Sequence, residues 1–220
     1  YRLVAWQEPP RLVEVPRPDP GPGQVLVEVA GCGLCHSDLT MAAMPGEVGE
    51  ALGWRVPFTL GHETAGRIAA VGDGVELGDD LTIGDAVALT SPTACGSCAH
   101  CRAGRDSACT ASDAGRGYGR DGGLATHVLV AAVRDLLPLG DLDPRHAGPL
   151  TDAGATSHHA VRRVRDALGP DSVVVVIGVG GVGSFVVQIL AATTDARIVA
   201  VDLDPARRDL AVALGAHATV

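Results

Sequence analysis

Cys95, Cys98, Cys101 and Cys109 fall within fifteen residues, as Cys-x2-Cys-x2-Cys-x7-Cys in the stretch CGSCAHCRAGRDSAC. Thiolates this closely spaced on a Gly-containing loop can converge on one tetrahedral Zn²⁺ at about 2.3 Å each. That coordination is closed and leaves no position for a substrate, so the centre reads as structural. A bacterial ferredoxin run opens in the same way, but its fourth cysteine follows after about three residues and precedes Pro. Here seven residues intervene and Thr110 follows. Disulfides fit less well, because sulfurs three residues apart in a tight loop make poor bridge geometry.

Two cysteines remain. Cys35 sits in Gly33-Leu-Cys-His-Ser-Asp38, 27 residues before His62 of Gly61-His-Glu63. Cys and His are both zinc ligands, and a catalytic zinc takes three protein ligands while the fourth position stays open to water or substrate. Spacing alone does not reveal the third ligand, since the chain must fold to deliver it. Cys32, in a β-like apolar setting, reads as a small buried hydrophobe. His100 reads as a loop residue inside the cage, and His158 and His159 as core or surface positions on a helix.

A second chemical signal is Gly178-Val-Gly180-Gly181-Val182-Gly183, directly after the β-branched run Val173 to Ile177 and before a helical pattern. Gly178, Gly180 and Gly183 serve a tight turn, backbone approach to a pyrophosphate and close helix packing, with the helix N-terminus attracting phosphate. Asp202 lies 19 residues beyond Gly183 at the end of a second strand. There an acidic side chain accepts hydrogen bonds from the adenosine ribose, which favours NAD over NADP. Arg207 and Arg208 could pair with a 2′-phosphate, but Asp202 would repel it.

These residues need elements to position them. Residues 1 to about 150 read as β-rich: Val25 to Val29, Thr64 to Val71, Ala86 to Leu89 and Ala125 to Val130 are short apolar runs separated by Gly and Pro. A helix is expected over Ala153 to Leu168, ended by Gly169-Pro170. Val173 to Ile177 reads as a strand buried on both faces of a parallel sheet. A helix from Ser184 to Thr193, a strand from Arg197 to Val201 and a helix from Pro205 to Leu214 follow. The composition is that of an ordinary acidic protein, with 17 basic and 26 acidic residues, net charge -9 and 46% hydrophobic content. Every basic residue is Arg, and no basic face for nucleic acid is evident. No apolar stretch is long enough to span a membrane and no leader pattern opens the chain, so a cytoplasmic location is expected.

GLCHSD, LGHE, the four-cysteine loop, PLTDAGAT and IGVGGVG occur in the order found in the zinc-dependent medium-chain alcohol dehydrogenases, which the sequence resembles along its whole length. The resemblance implies a GroES-like catalytic domain over 1–153, with the structural-zinc loop 95–109. A connecting helix and the first βαβα portion of an NAD-binding Rossmann domain would fill 154–220. It implies Cys35 and His62 as catalytic zinc ligands with Glu63 near the metal. At the third ligand position, where the family most often has Cys, this sequence has Asp152, as in bacterial secondary-alcohol dehydrogenases with PLTDAG. A carboxylate binds zinc at about 2.0–2.2 Å, so the exchange preserves a site; a second-shell role for Asp152 is the alternative.

By the same resemblance Ser37 belongs to a hydroxyl relay, His36 lies near the cofactor phosphates or continues that relay, and Thr156 packs on the nicotinamide. Trp54 lines the substrate region. The implied activity interconverts a secondary or aryl alcohol and its ketone or aldehyde, with hydride transfer to or from NAD, two zinc ions per complete chain and a homodimeric or homotetrameric state. A polyol or aldehyde dehydrogenase of the same family is the alternative, and a noncatalytic zinc-binding module a more distant one. The chain stops at Val220, apparently entering a third Rossmann strand; continuation is expected, and the 220 residues alone are expected to be inactive.

Overall fold

A computed structural model describes residues 1–91, 93–111 and 114–220. Contacts divide the chain into two compact units, Tyr1–Thr151 and Asp152–Val220. The seam falls two residues before the boundary read from the sequence.

The first unit is built on a five-stranded antiparallel sheet of β1 (Val25–Gly33), β2 (Glu63–Val71), β3 (Ala86–Leu89), β4 (His127–Val130) and β5 (Leu136–Pro138), in the order β4-β1-β2-β3-β5. Period-two patterning sets its register. Val25 pairs with Val130 and Val27 with Val128, and all four side chains enter one core with Ile68, Val87, Leu89 and Leu136. Full burial of each such side chain is worth roughly 1.5–3 kcal/mol, so a one-residue slip that turned this face to solvent would cost most of the core. The fourth strand begins at His127 rather than Ala125. A smaller core of Leu3, Met41, Phe58 and Leu60, flanked by Trp54 and Tyr118, lies beneath α1 (His36–Ala42). The cysteine loop carries the one-turn helix α2 (Ala99–Arg102).

The second unit opens with α3 (Ala153–Val164), which gives way to a 3₁₀ turn at Arg165–Ala167 before Gly169. Three parallel strands follow in the order β6-β7-β8: β6 (Val173–Ile177), β7 (Arg197–Val201) and β8 (Ala218–Thr219), joined by α4 (Gly181–Thr193) and α5 (Pro205–Ala213). Pro205 opens α5, and the Asp204 carboxylate accepts from the Ala206 N–H as its N-cap.

The expectation that Val173 to Ile177 is buried on both faces does not hold. Val173, Val175 and Ile177 are 59%, 56% and 83% exposed, whereas Val176 packs with Val187, Leu190 and Ile198. Successive side chains leave a strand on opposite faces, and within this unit only one face is covered. Among the described residues, no helix is long and apolar enough to cross a membrane.

Candidate active site and metal centres

The four-cysteine loop forms a compact donor group, with Cys95, Cys98, Cys101 and Cys109 sulfurs all within 4.8 Å of one another. Cys95 and Cys101 sulfurs are 3.9 Å apart, those of Cys98 and Cys101 3.5 Å. A tetrahedron with bonds of about 2.3 Å has edges of about 3.8 Å, so the set fits zinc. No disulfide joins any of the described cysteines. Backbone N–H groups aim at the sulfurs: Cys98 donates to Cys95 at 3.3 Å and Cys95 to Cys109 at 3.4 Å. The Ser97 backbone N–H, followed by its hydroxyl, holds the Cys95 thiol down to about 6. Burial pushes Cys101 up to about 12, the thiol that most needs a cation to ionise. His100 lies in α2 rather than in a plain loop and is no member of the donor group.

A second group is assembled over distance. The donor atoms of Cys35, His62 and Glu63 lie within 4.8 Å of one another, and thiolate, imidazole and carboxylate are a zinc-type set. Cys35 is the N-cap of α1, while His62 and Glu63 stand at the start of β2. Asp38 couples the two. Its carboxylate accepts from Cys35 N at 3.0 Å and Gly61 N at 3.2 Å, and Oδ1 lies 3.6 Å from His62 Nδ1. At that distance the contact is electrostatic rather than a hydrogen bond, and it leaves the other imidazole nitrogen as the ligand atom. That other atom, Nε2, faces two hydroxyls: Tyr118 Oη at 3.1 Å and Ser37 Oγ at 3.5 Å, themselves 2.9 Å apart.

The Tyr118 ring leans on His62 with centroids 4.5 Å apart, and Trp54 leans on Tyr118 at 5.8 Å. The segment before Tyr118 is braced by a buried ion pair: Arg116 Nη1 donates to Asp135 Oδ2 at 3.1 Å, and Nη2 to the Thr90 carbonyl. Sequence reading missed both Asp38 and Tyr118. Asp38 had a local signal, since it stands at the capping-box position three residues after Cys35. Tyr118 had none, lying 56 residues from His62. Ser37 is brought to the site, whereas His36 is exposed on α1. Cys32 is half-buried and its sulfur lies 3.6 Å from Thr64 Oγ1; burial raises its thiol to about 11, the behaviour of an inert packing cysteine.

In the second unit Asp152 is the N-cap residue of α3 and makes no capping hydrogen bond; Thr156 donates its backbone N–H to the Asp152 carbonyl and is exposed. His158 and His159 are exposed on α3. The glycine loop leaves β6 through Gly178, at φ +84°, and Gly180 caps α4, which begins at Gly181 and Val182. A Cβ at Gly183 would lie 1.8 Å from the Gly178 carbonyl oxygen, so only glycine permits this turn to pack on the helix. Asp202 at the end of β7 accepts from Asp204 N at 2.9 Å and Val179 N at 2.7 Å. Those two N–H groups hold its carboxyl below the usual carboxylate range. Arg207 Nη1 stands 3.9 Å from that carboxylate, and Arg208 donates to the Asp202 carbonyl.

A GroES-like β unit bearing two metal-ligand groups, followed by a parallel βαβ unit with a glycine-rich loop, is the make-up of the zinc-binding medium-chain dehydrogenases. The family model "Alcohol dehydrogenase GroES-like domain" matches residues 21–141, and the chain belongs to this family. It is 39% identical over 208 residues to an NAD-dependent alcohol dehydrogenase of Sulfurisphaera tokodaii, covering 92% of this chain and 58% of that protein. It is 34% identical over 223 residues to a D-arabinose 1-dehydrogenase (NADP(+)) of Saccharolobus solfataricus, covering 97% of this chain and 60% of the relative. The crystal structure of the alcohol dehydrogenase from Aeropyrum pernix superposes with a TM-score of 0.87 at 36% identity, over all of this chain and 63% of that one. The chain thus spans about three-fifths of the length of these relatives.

Proposed function

We propose that the protein is a zinc-dependent oxidoreductase that interconverts a secondary or aryl alcohol and its ketone or aldehyde, with NAD as hydride acceptor or donor. The observation that carries this reading is the convergence of Cys35, His62 and Glu63 with two hydroxyls, Ser37 and Tyr118, at the ligand atom of His62. Zinc held by Cys35, His62 and Asp152 would supply Lewis acidity to the substrate oxygen, and bound NAD would exchange the hydride. Asp152 as third ligand is supported by its place in the segment PLTDAGAT, where zinc-dependent medium-chain alcohol dehydrogenases most often have Cys, and by the affinity of a carboxylate for zinc. One peptide bond separates it from the turn Gly148–Thr151, which packs on β2.

Each residue has a task. Asp38 biases the His62 ring electrostatically, Glu63 tunes charge beside the ligands, and Ser37 Oγ and Tyr118 Oη carry the substrate proton away, with His36 on the solvent side of α1. Trp54 and Tyr118 offer aromatic faces to an apolar substrate. Gly178 to Gly183 receive the pyrophosphate, Asp202 the ribose and Thr156 the nicotinamide. The four-cysteine loop holds a second, structural zinc.

A second reading, a sugar or polyol dehydrogenase, is favoured by the likeness to the arabinose dehydrogenase. Steady-state kinetics on the zinc-loaded full-length protein separate the two. Higher kcat/KM for secondary and aryl alcohols with NAD supports the first reading. Preference for aldoses or polyols supports the second, and no turnover of any of them contradicts both.

A further inference from the structure

Ser157 is a fully buried polar side chain that the proposed chemistry leaves without a task. It lies on α3 with Ala153, Gly154 and Val161, the other buried residues of that helix. Its Oγ stands 2.7 Å from the Ala153 carbonyl oxygen, one turn back in α3, and 2.8 Å from the Val182 carbonyl oxygen in the first turn of α4. Both neighbours only accept, and a hydroxyl has a single proton to donate. That proton is therefore shared between the two helices and ties the start of α3 to the start of α4.

The place of the tie gives it a consequence. Val182 lies between Gly181 and Gly183, in the turn assigned to the pyrophosphate. Thr156, next to Ser157 and exposed on α3, is the residue assigned to the nicotinamide. One hydroxyl thus joins the helix that serves one end of a dinucleotide to the loop that serves its middle. Farther along α3, Val161 enters one core with Val187 and Leu190 of α4. Nearer the loop, Ala153 and Gly154 are too small to interlock with a neighbouring helix, and the spacing of packed helices follows the side chains at their contact. The hydrogen bond supplies there the register that bulk does not.

We propose that Ser157 is a positioning residue of the cofactor site, setting the distance between Thr156 and the glycine loop so that nicotinamide and pyrophosphate are held at once. This rests on the proposed NAD site.

The test compares two ligands on the zinc-loaded full-length protein: NADH, and ADP-ribose, which keeps the adenosine and pyrophosphate but lacks the nicotinamide ring. Titration calorimetry gives the dissociation constant of each. Ser157→Ala should weaken NADH binding about fivefold, the effect of one hydrogen bond, while ADP-ribose binds as it does to wild type. Val161→Ala, on the same helix but farther from the loop, should lower the melting temperature more than Ser157→Ala does, yet leave the ratio of the two constants at its wild-type value. Equal weakening of both ligands by Ser157→Ala, no weakening of either, or a ratio shifted as far by Val161→Ala overturns the proposal, since the hydroxyl would then only stabilise the unit. Wild-type protein that binds neither ligand would overturn the NAD reading itself, an outcome visible before any variant is made. Alanine lacks only the hydroxyl oxygen of serine, so the Ser157 variant should fold, and its circular dichroism should match wild type.

Discussion

The two metal-ligand groups of the first unit differ in how they are built. The four-cysteine cage is local: its ligands span a single loop, and one turn of helix with backbone N–H groups shapes it. The Cys35–His62–Glu63 group is assembled from the cap of α1 and the start of β2, and its neighbours, Asp38 and Tyr118, complete it. A local centre can be full and still contribute only bracing, whereas the distributed centre gathers hydroxyls at one nitrogen of an imidazole and a carboxylate near the other. Adjacent residues serve the two. Arg134 faces the cage loop, while Asp135 holds Arg116 and with it the segment that ends in Tyr118.

This contrast can be broken from either side. Removing the anchor of the distributed centre should have the largest effect. Asp135→Ala leaves the Arg116 guanidinium, 4% exposed, without its counter-ion, and breaking a buried pair of this kind costs about 3–5 kcal/mol. Urea unfolding of the variant measures this; a loss below about 1 kcal/mol, the range of surface pairs, would show the pair to be dispensable.

Tyr118→Phe should have an intermediate effect. It removes one of the two hydroxyls at His62 Nε2 while leaving zinc content and the cage untouched. A lost hydrogen bond of about 1.4 kcal/mol corresponds to roughly tenfold in kcat. An unchanged kcat would reduce Tyr118 to packing.

Asp143→Asn, outside both ligand groups, should have the smallest effect. Its side chain, which pairs with Arg145 and caps the Pro144–Ala147 helix, has its carboxyl lowered from 3.8 to about 2 by that arginine. A depressed folded-state value stabilises above the unfolded value and is lost as pH falls towards about 2. Wild type should therefore exceed the variant slightly in melting temperature near neutral pH and converge with it at the acid end. A gap that widens on acidification would reverse the sign.

Legibility followed the same division. The cage, the glycine loop and the strand-helix alternation after Pro170 were readable because their determinants lie within one or two elements. Val173 to Ile177 was placed correctly as a strand but not in its burial, since the sequence does not say which faces a unit covers. Cys35 and His62 were visible as ligand types. Tyr118 and the Arg116–Asp135 brace were not, because long-range packing brings them in and nothing in their neighbourhood marks it. Asp38 lay in view at capping-box spacing, yet its reach to His62 belongs to the tertiary fold.

The account's central claim is that this chain carries two separate zinc centres, one local and one distributed. Metal analysis of wild type and His62→Ala, combined with alkylation mapping of the cage cysteines, tests it directly. The account predicts one zinc for each of the two ligand groups in wild type, with a single zinc and a fully protected cage in His62→Ala. A wild-type content of one zinc, or two retained after His62→Ala, would contradict it.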